Sequence, residues 1–313
     1  LAQLQLKRLL AFSSVSHAGL ILIGVGLLDP GALAGAGLYT LAHGGVKGAL
    51  FLVAGILLYR HDSVKEAALR GLGRRERVTA VIFVAGALGL AGLPPFGTAL
   101  GRHLIEEPAS ILGHGWVTVV FLVAEALTAG AVLRAAGRVF LGWGPGLERD
   151  DTDDVEDEES PERLEEDARQ RRWAPVVMAV PAATLVIGAL AVGVWPTVAH
   201  TAEAAAERFV DSGAYQAAVL DGVRVPLPEV PGGGLTAKAA ALGVAASLAA
   251  VATALVALFR ERIPAAARAP LVAAGEPPLQ LLRRLQSGHI GDYVTWLVCG
   301  AAVLGGSYLI VLR

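Results

Sequence analysis

Apolar and polar positions divide the chain into seven long apolar stretches separated by polar ones. The stretches cover roughly residues 8–28, 37–59, 77–111, 115–142, 173–195, 235–259 and 289–311. Most are about twenty residues long and apolar all round, not along one stripe. A helix rises about 1.5 Å per residue, so twenty residues cross the roughly 30 Å hydrocarbon core of a bilayer. The runs are continuous, not alternating, which selects helices over a barrel. The pattern predicts an all-α integral membrane protein with about seven transmembrane helices.

The third stretch is too long for one straight crossing. Its middle reads "LAGLPPFGTALGRHLIEEP". Pro94 and Pro95 remove two backbone donors and clash with the preceding turn. Gly97 and Gly101 loosen the next turns of the chain. The prediction is a broken helix, which a membrane tolerates only where the freed backbone faces protein or a watery cavity.

Composition supports the membrane assignment. Hydrophobic residues make up 54% and charged residues 17% of 313, and the mean hydropathy is +0.57. A soluble domain is nearer one quarter charged. The net charge of −2 says little, because the charges are unevenly placed. Lys7, Arg8, Arg60, Lys65, Arg70, Arg74, Arg75, Arg77, Arg134, Arg138, Arg169, Arg171 and Arg172 gather at alternate ends of the segments. Arg260, Arg262, Arg268, Arg283 and Arg284 continue the pattern. The loops 29–36 and 112–114 have neither Lys nor Arg, and 196–234 has only Arg208 and Arg224. The arginine-rich loops are therefore expected on the cytoplasmic side of the cell membrane and the C-terminus outside. Leu1 opens almost at once into a membrane helix with no cleavable signal pattern, so the chain is expected to be the C-terminal part of a longer protein.

Two connections differ from the rest. Residues 148–172 hold nearly half of the 28 acidic residues and read as a solvated cytoplasmic loop. Segment 196–234 opens as an amphipathic surface helix, "TVAHTAEAAAERFVDS", and ends in the linker "VPLPEVPGGG". The single Cys299 excludes an internal disulfide and any paired-cysteine metal or redox site. It is expected to be a small buried apolar residue.

Candidate chemistry lies in the charges at membrane depth. Lys47 sits near the middle of an apolar run, where a charge costs at least a few kcal/mol. His43 precedes it by four residues, on the same helix face. A histidine titrates near neutrality, and a lysine's proton affinity responds to burial, so the two could pass protons through intervening water. The alternative is a lysine paired with a carboxylate to pin two helices. His17 lies mid-helix with Ser13, Ser14 and Ser16 on the preceding turn, a row of hydroxyls that could hold water beside it. Lys7, near the cytoplasmic end of that helix, reads as a snorkelling anchor or the mouth of a proton path. Arg102, His103, Glu106 and Glu107 lie beyond the proline break. A local Arg102–Glu106 salt bridge is expected there, with any titration left to His103 or a glutamate. Glu125 is a lone carboxylate at mid-membrane and a partner for Lys47 or Arg102. The sequence has no phosphate loop, no metal-ligand spacing, no nucleophile beside a base and no nucleic-acid patch. No cofactor or metal is therefore expected.

The stretches "LKRLLAFSSVSHAGLILIG", "YTLAHGGVKGALFLVAGILLY" and "LAGLPPFGTALGRHLI" occur in that order over the first 142 residues or so. Together they resemble the second half of an antiporter-like proton-translocating subunit. Such subunits occur in NADH-quinone oxidoreductase (respiratory complex I), in Mrp-type antiporters and in hydrogenase-4-type membrane hydrogenases. "LRRLQSGHIGDYVTWLVCG" resembles the end of the longer, L-like members. The resemblance implies residues 1–142 as a partial second repeat of four helices and 143–172 as the acidic loop. It makes 173–313 the C-terminal helices, with extramembrane segments 196–234 and 260–288. It implies a central line of Lys, His and Glu to which Lys7, Lys47 and the position of Arg102 belong, in a non-redox subunit of a proton-pumping translocase; with the residues read above, the expected relay is Lys47, His43, His17, Lys7, Arg102, His103, Glu106 and Glu125. The implied partners are other membrane subunits and the lipid bilayer, with protons or monovalent cations as the transported species. An Mrp-type Na⁺(K⁺)/H⁺ antiporter subunit and a non-conducting scaffold are the alternatives. Two departures stand out. Arg102 occupies the broken-helix site where the family usually has Lys or Glu. Pro264, Pro270, Pro277 and Pro278 leave no room for a long lateral helix, which favours a hydrogenase-type or stand-alone relative.

Overall fold

A helix needs acceptors for its first backbone donors, and the second apolar stretch finds one at Asp29. The Asp29 carboxylate accepts from the Ala32 N–H at 2.9 Å, and Pro30 takes the first helical position. The resulting helix, α2 (Pro30–His61), has 32 residues and is about 48 Å long. The loop expected at 29–36 is therefore already helix. The real connection is Leu27–Asp29, because the cap and the pre-set proline backbone outweigh the glycines of "GALAGAG".

The computed structural model describes residues 3–145, 174–211 and 236–262, with isolated positions at 280, 295, 298–300 and 302. The chain divides into two compact units, Leu1–Phe259 and Arg260–Arg313. In the first unit α1 (Leu6–Gly26) precedes α2. A 3₁₀ turn (Leu72–Arg75) leads to α3 (Arg77–Leu90) and α4 (Gly97–Ile111). Then come α5 (Trp116–Ala136), ending in a π-helical turn (Gly137–Leu141), α6 (Ala174–Val194), α7 (Pro196–Val210) and α8 (Ala237–Leu258). Five of these are long and apolar enough to cross a membrane: α1, α2, α5 with its π turn, Val177–Val194 of α6, and α8. The pair α3 and α4 is the broken third stretch, interrupted at residues 91–96. Six of the seven expected segments thus appear among the described residues. The seventh, with the motif at 282–300, lies largely outside them, as do the acidic run 148–172 and the linker after Asp211. In the second unit Cys299 is exposed, not buried as expected.

Helix α2 is the hub. It packs against α1, α3, α4, α6 and α7, while α5 packs against α8, α1 and α3. Lipid tails are as apolar as leucine, so such packing is driven by close contact and by interhelical polar pairs. The main core runs through Leu10, Val46, Leu50, Val53, Phe83, Leu90 and Val132.

The break between α3 and α4 is closed locally and covered by neighbours. The Thr98 hydroxyl, in the first turn of α4, donates to the Gly89 carbonyl of α3 at 2.6 Å. Gly193 of α6 and Gly243 of α8 lie against the irregular segment. A β-carbon on Gly243 would stand 2.5 Å from the Gly92 carbonyl oxygen. The non-helical backbone is thus enclosed by protein, the condition a membrane imposes.

Gly243→Ala should force these two backbones apart and cost about 1–3 kcal/mol, lowering the melting temperature of the detergent-solubilised chain by circular dichroism. Gly44→Ala, where an added carbon meets nothing within 4 Å, should leave stability unchanged or raise it by up to about 1 kcal/mol.

Candidate functional site

The apolar stretches carry few polar side chains at membrane depth, and the packing gathers most of them around α2. Tyr39, His43 and Lys47 recur at four-residue intervals on one buried face of that helix. Each fills a gap against α1 or α5.

At one end, the Lys47 ammonium donates to the Leu10 carbonyl at 2.8 Å and to the Ser13 hydroxyl. Ser13 itself donates to the Leu10 carbonyl at 2.9 Å, as Ser14 does at 3.1 Å. The serines therefore serve the α1 backbone and Lys47, not His17 as the sequence suggested. Among the described residues no carboxylate pairs with Lys47.

His43 stacks on His17, ring centroids 4.5 Å apart and 22° from parallel. Its Nδ1 is buried and has no hydrogen-bond partner among the described residues. His17 is fully buried between two hydroxyls: Nδ1 lies 2.8 Å from Tyr39 Oη, and Nε2 lies 3.0 Å from Thr128 Oγ1. The Thr128 hydroxyl has a single hydrogen, and the Ala124 carbonyl at 2.7 Å in its own helix takes it. His17 Nε2 then donates to the Thr128 oxygen, and in the neutral ring Nδ1 accepts from the Tyr39 hydroxyl.

Tyr39 Oη also stands 3.5 Å from Glu125 Oε1. Its one hydrogen serves His17 or Glu125, never both. Phe121, edge-on to Tyr39 at 5.9 Å, completes the seat of its ring. Glu125 is wholly buried, and its other oxygen accepts from Arg102 Nη1 at 2.5 Å. Of the two partners open to it on sequence grounds, Glu125 takes Arg102. The carboxylate also approaches the backbone of the break: a β-carbon on Gly92, whose φ is +65°, would meet Glu125 Oε1 at 2.8 Å. Arg102 Nε lies 3.3 Å from Glu106 Oε1, the expected i,i+4 contact, so a single buried guanidinium joins two carboxylates. His103 pairs at 3.6 Å with Glu107, whose side chain is half exposed.

The packing thus joins Lys47, His43, His17, Glu125, Arg102 and Glu106 in one polar line across α1, α2, α5 and α4. Lys7 lies elsewhere, on the exposed face of α1 opposite the stripe Leu6, Leu10, Ser13, His17 and Leu20. Two members escaped the sequence reading. Tyr39 was legible as the position one turn before His43. Thr128 stands three residues after Glu125, a placement that an isolated helical threonine does not advertise. Among the described residues, no three His, Cys, Asp or Glu side chains could hold a metal ion.

Apolar helices packed around α2, with a proline-broken pair among them and a buried polar line between, make this a multi-pass membrane protein. Comparison with known proteins gives the family. Residues 1–128 match the family model described as NADH:quinone oxidoreductase/Mrp antiporter, TM, so this part of the chain is an antiporter-like membrane segment of that superfamily. The chain is similar to subunit N of NADH-quinone oxidoreductase from Saccharopolyspora erythraea, with 38% identity over 137 residues, 43% of this chain and 26% of the relative. It is similar to subunit N of F(420)H(2) dehydrogenase from Methanosarcina mazei, with 32% identity over 136 residues, 41% of this chain and 28% of the relative. Subunit M of NADH-quinone oxidoreductase from Rickettsia felis is 33% identical over 146 residues, 45% of this chain and 29% of the relative. The chain thus spans less than a third of the length of these relatives. With its apolar helices, it is a multi-pass protein of the cell membrane.

Arg102→Met should strand Glu125 in the interior and cost about 3–5 kcal/mol, seen as a collapsed melting temperature and loss of monodisperse protein. The triple variant Arg102→Met/Glu106→Gln/Glu125→Leu should recover most of that loss, because both carboxylates that Arg102 held are gone with it.

Proposed function

We propose that this chain is the proton-conducting part of a membrane subunit in a complex I-like, redox-driven pump, and that protons cross along the line from Lys47 to Glu125. The observation that carries the reading is a buried row of proton-exchanging groups between an unpaired lysine and a buried carboxylate, hydrogen-bonded from His17 through Tyr39 to Glu125. A structural pin would put a carboxylate on Lys47, whereas Lys47 is held by neutral acceptors, Leu10 and Ser13. The relatives are named as subunits of NADH-quinone oxidoreductase and F(420)H(2) dehydrogenase, which supports redox coupling through partner subunits.

The steps are set by the hydrogen-bond directions. A proton passes from the Lys47 ammonium to His43 and on to His17 through intervening water, because the two rings stack and share no hydrogen bond. When His17 gains a proton on Nδ1, that nitrogen can no longer accept from Tyr39 and instead donates to it. The Tyr39 hydrogen is then released toward Glu125 Oε1. Transfer is complete when Tyr39 gives its proton to Glu125 and takes the one on His17. Arg102 keeps its charge throughout. It acts as the fixed counter-ion of Glu125 and Glu106, and the proton leaves on the glutamate side, past Glu106. In this proposal residues 1–142 form the conducting repeat and 173–313 the C-terminal membrane helices.

Lys47→Met in the full-length complex, reconstituted in vesicles with an internal pH dye, should lower proton translocation at least about tenfold. Tyr39→Phe should keep the ring packing and still slow translocation, because only the hydroxyl is lost. Wild-type pumping by Lys47→Met overturns the relay. Pumping that requires Na⁺ or K⁺ instead of redox substrate overturns the redox-driven assignment in favour of an Mrp-type antiporter.

A further inference from the structure

Outside the buried line, the arginine-rich side of the bundle has a small hollow lined by Arg70, Gly71, Leu72, Arg74 and Gly142. Its walls come from the connection between α2 and α3 and from the end of α5. Gly71 and Gly142 both have φ +72°, and these left-handed turns fold the two walls around the hollow. The Gly71 N–H donates to the Arg138 carbonyl at 2.9 Å and ties them together.

The two arginines are held by backbone, not by acids. Arg74 donates through Nε and Nη2 to the Leu141 carbonyl, at 3.3 and 2.9 Å, and Arg70 Nη2 donates to the Gly144 carbonyl at 2.5 Å. Each guanidinium has five N–H groups, so both are oriented and still have donors to spare. The lining of the hollow holds no acid, and two acids of the same connection are turned inward. Glu66 is fully buried against Arg134 at 2.6 Å and Arg138 at 3.4 Å, and Glu76 is buried against His61 at 2.8 Å and Arg60 at 3.5 Å. Among the described residues the hollow therefore presents uncompensated positive charge. Apolar side chains flank it: Leu72, Leu141 and Trp143 are about half exposed, a poor arrangement in water and a good one at the junction of headgroups and acyl chains.

We propose that this hollow binds the phosphate headgroup of an anionic phospholipid of the cytoplasmic leaflet, with Arg70 and Arg74 on the phosphate and Leu72, Leu141 and Trp143 against the upper acyl chains. Guanidinium forks match phosphate oxygens in pairs. The charge distribution along the chain puts this side at the cytoplasmic surface, where anionic lipids are enriched and each nearby arginine contributes roughly 1 kcal/mol. The site sits on the π turn that ends α5, the helix that carries Thr128 and Glu125, so an occupied hollow would brace that helix from its cytoplasmic end.

The test is native mass spectrometry of the full chain in micelles doped with phosphatidylglycerol or phosphatidylcholine of matched acyl chains. The wild-type protein should retain phosphatidylglycerol with an affinity about ten- to thirtyfold higher. Arg70→Gln/Arg74→Gln should abolish the preference without changing the melting temperature. Arg75→Gln, an exposed arginine of the same connection outside the hollow's lining, should leave it intact. Equal retention of both lipids by the wild type overturns the proposal and requires no variant to fold. A preference that survives the double substitution also overturns it, as does one lost equally in Arg75→Gln, which would mark diffuse surface charge. Displacement of the lipid by millimolar inorganic phosphate would make the free anion the ligand and overturn the lipid assignment; retention of the lipid supports it.

Discussion

A full charge in hydrocarbon is tolerated only with a partner, and the Arg102–Glu125 pair is the contact around which this bundle is arranged. Arg102 lies about two turns beyond the broken segment, and Glu125 is at the middle of α5. Bringing them to 2.5 Å requires α4 to cross close to α5 with no side chain between. Gly92 supplies that clearance at the break, and Thr98 closes the broken backbone so that α4 starts in a defined place. The pair also fixes where Tyr39 can point. Its hydroxyl meets the glutamate oxygen that Arg102 leaves open.

The same pair explains how Arg102 can stand where a relay residue would be expected. A guanidinium cannot give up its proton, so in the proposed relay the arginine ends the line as a charge, not as a carrier. The carrier's role moves one residue away in space, to the carboxylate it holds. In that proposal Tyr39 becomes necessary in a way that a lysine or glutamate at position 102 would not require, because the last transfer would run from α2 to α5 instead of into α4.

Much of this architecture was legible in the sequence. Bilayer-length apolar runs and the Pro94–Pro95 pair gave the helices and the break, since hydrophobic length and missing donors act locally. The start of α2 lies before the apolar run that marked it, because the Asp29 cap and Pro30 begin the helix earlier. The site was legible only within single helices. The spacing of His43 and Lys47, and of Arg102 and Glu106, is a matter of helical geometry alone. The pairings His17–Tyr39, His17–Thr128 and Arg102–Glu125 join residues 22, 111 and 23 positions apart, and no periodicity within one helix reports them. Lys7 shows the converse: it is near the others in sequence, yet the rotation of α1 places it on the outer face.

Helix α2 has no proline or bulge between Tyr39 and Lys47, which gives its polar face the character of a ruler. Three side chains are set by one rigid spacing of four residues, about 6 Å per interval. A change of residue identity along this stretch alters one mark. A single inserted or deleted residue turns everything beyond it by about 100° and points the lysine away from α1 while the tyrosine still faces α5. Evolution of this segment is therefore free in chemistry and rigid in length, whereas the connections at either end can lengthen without disturbing the line.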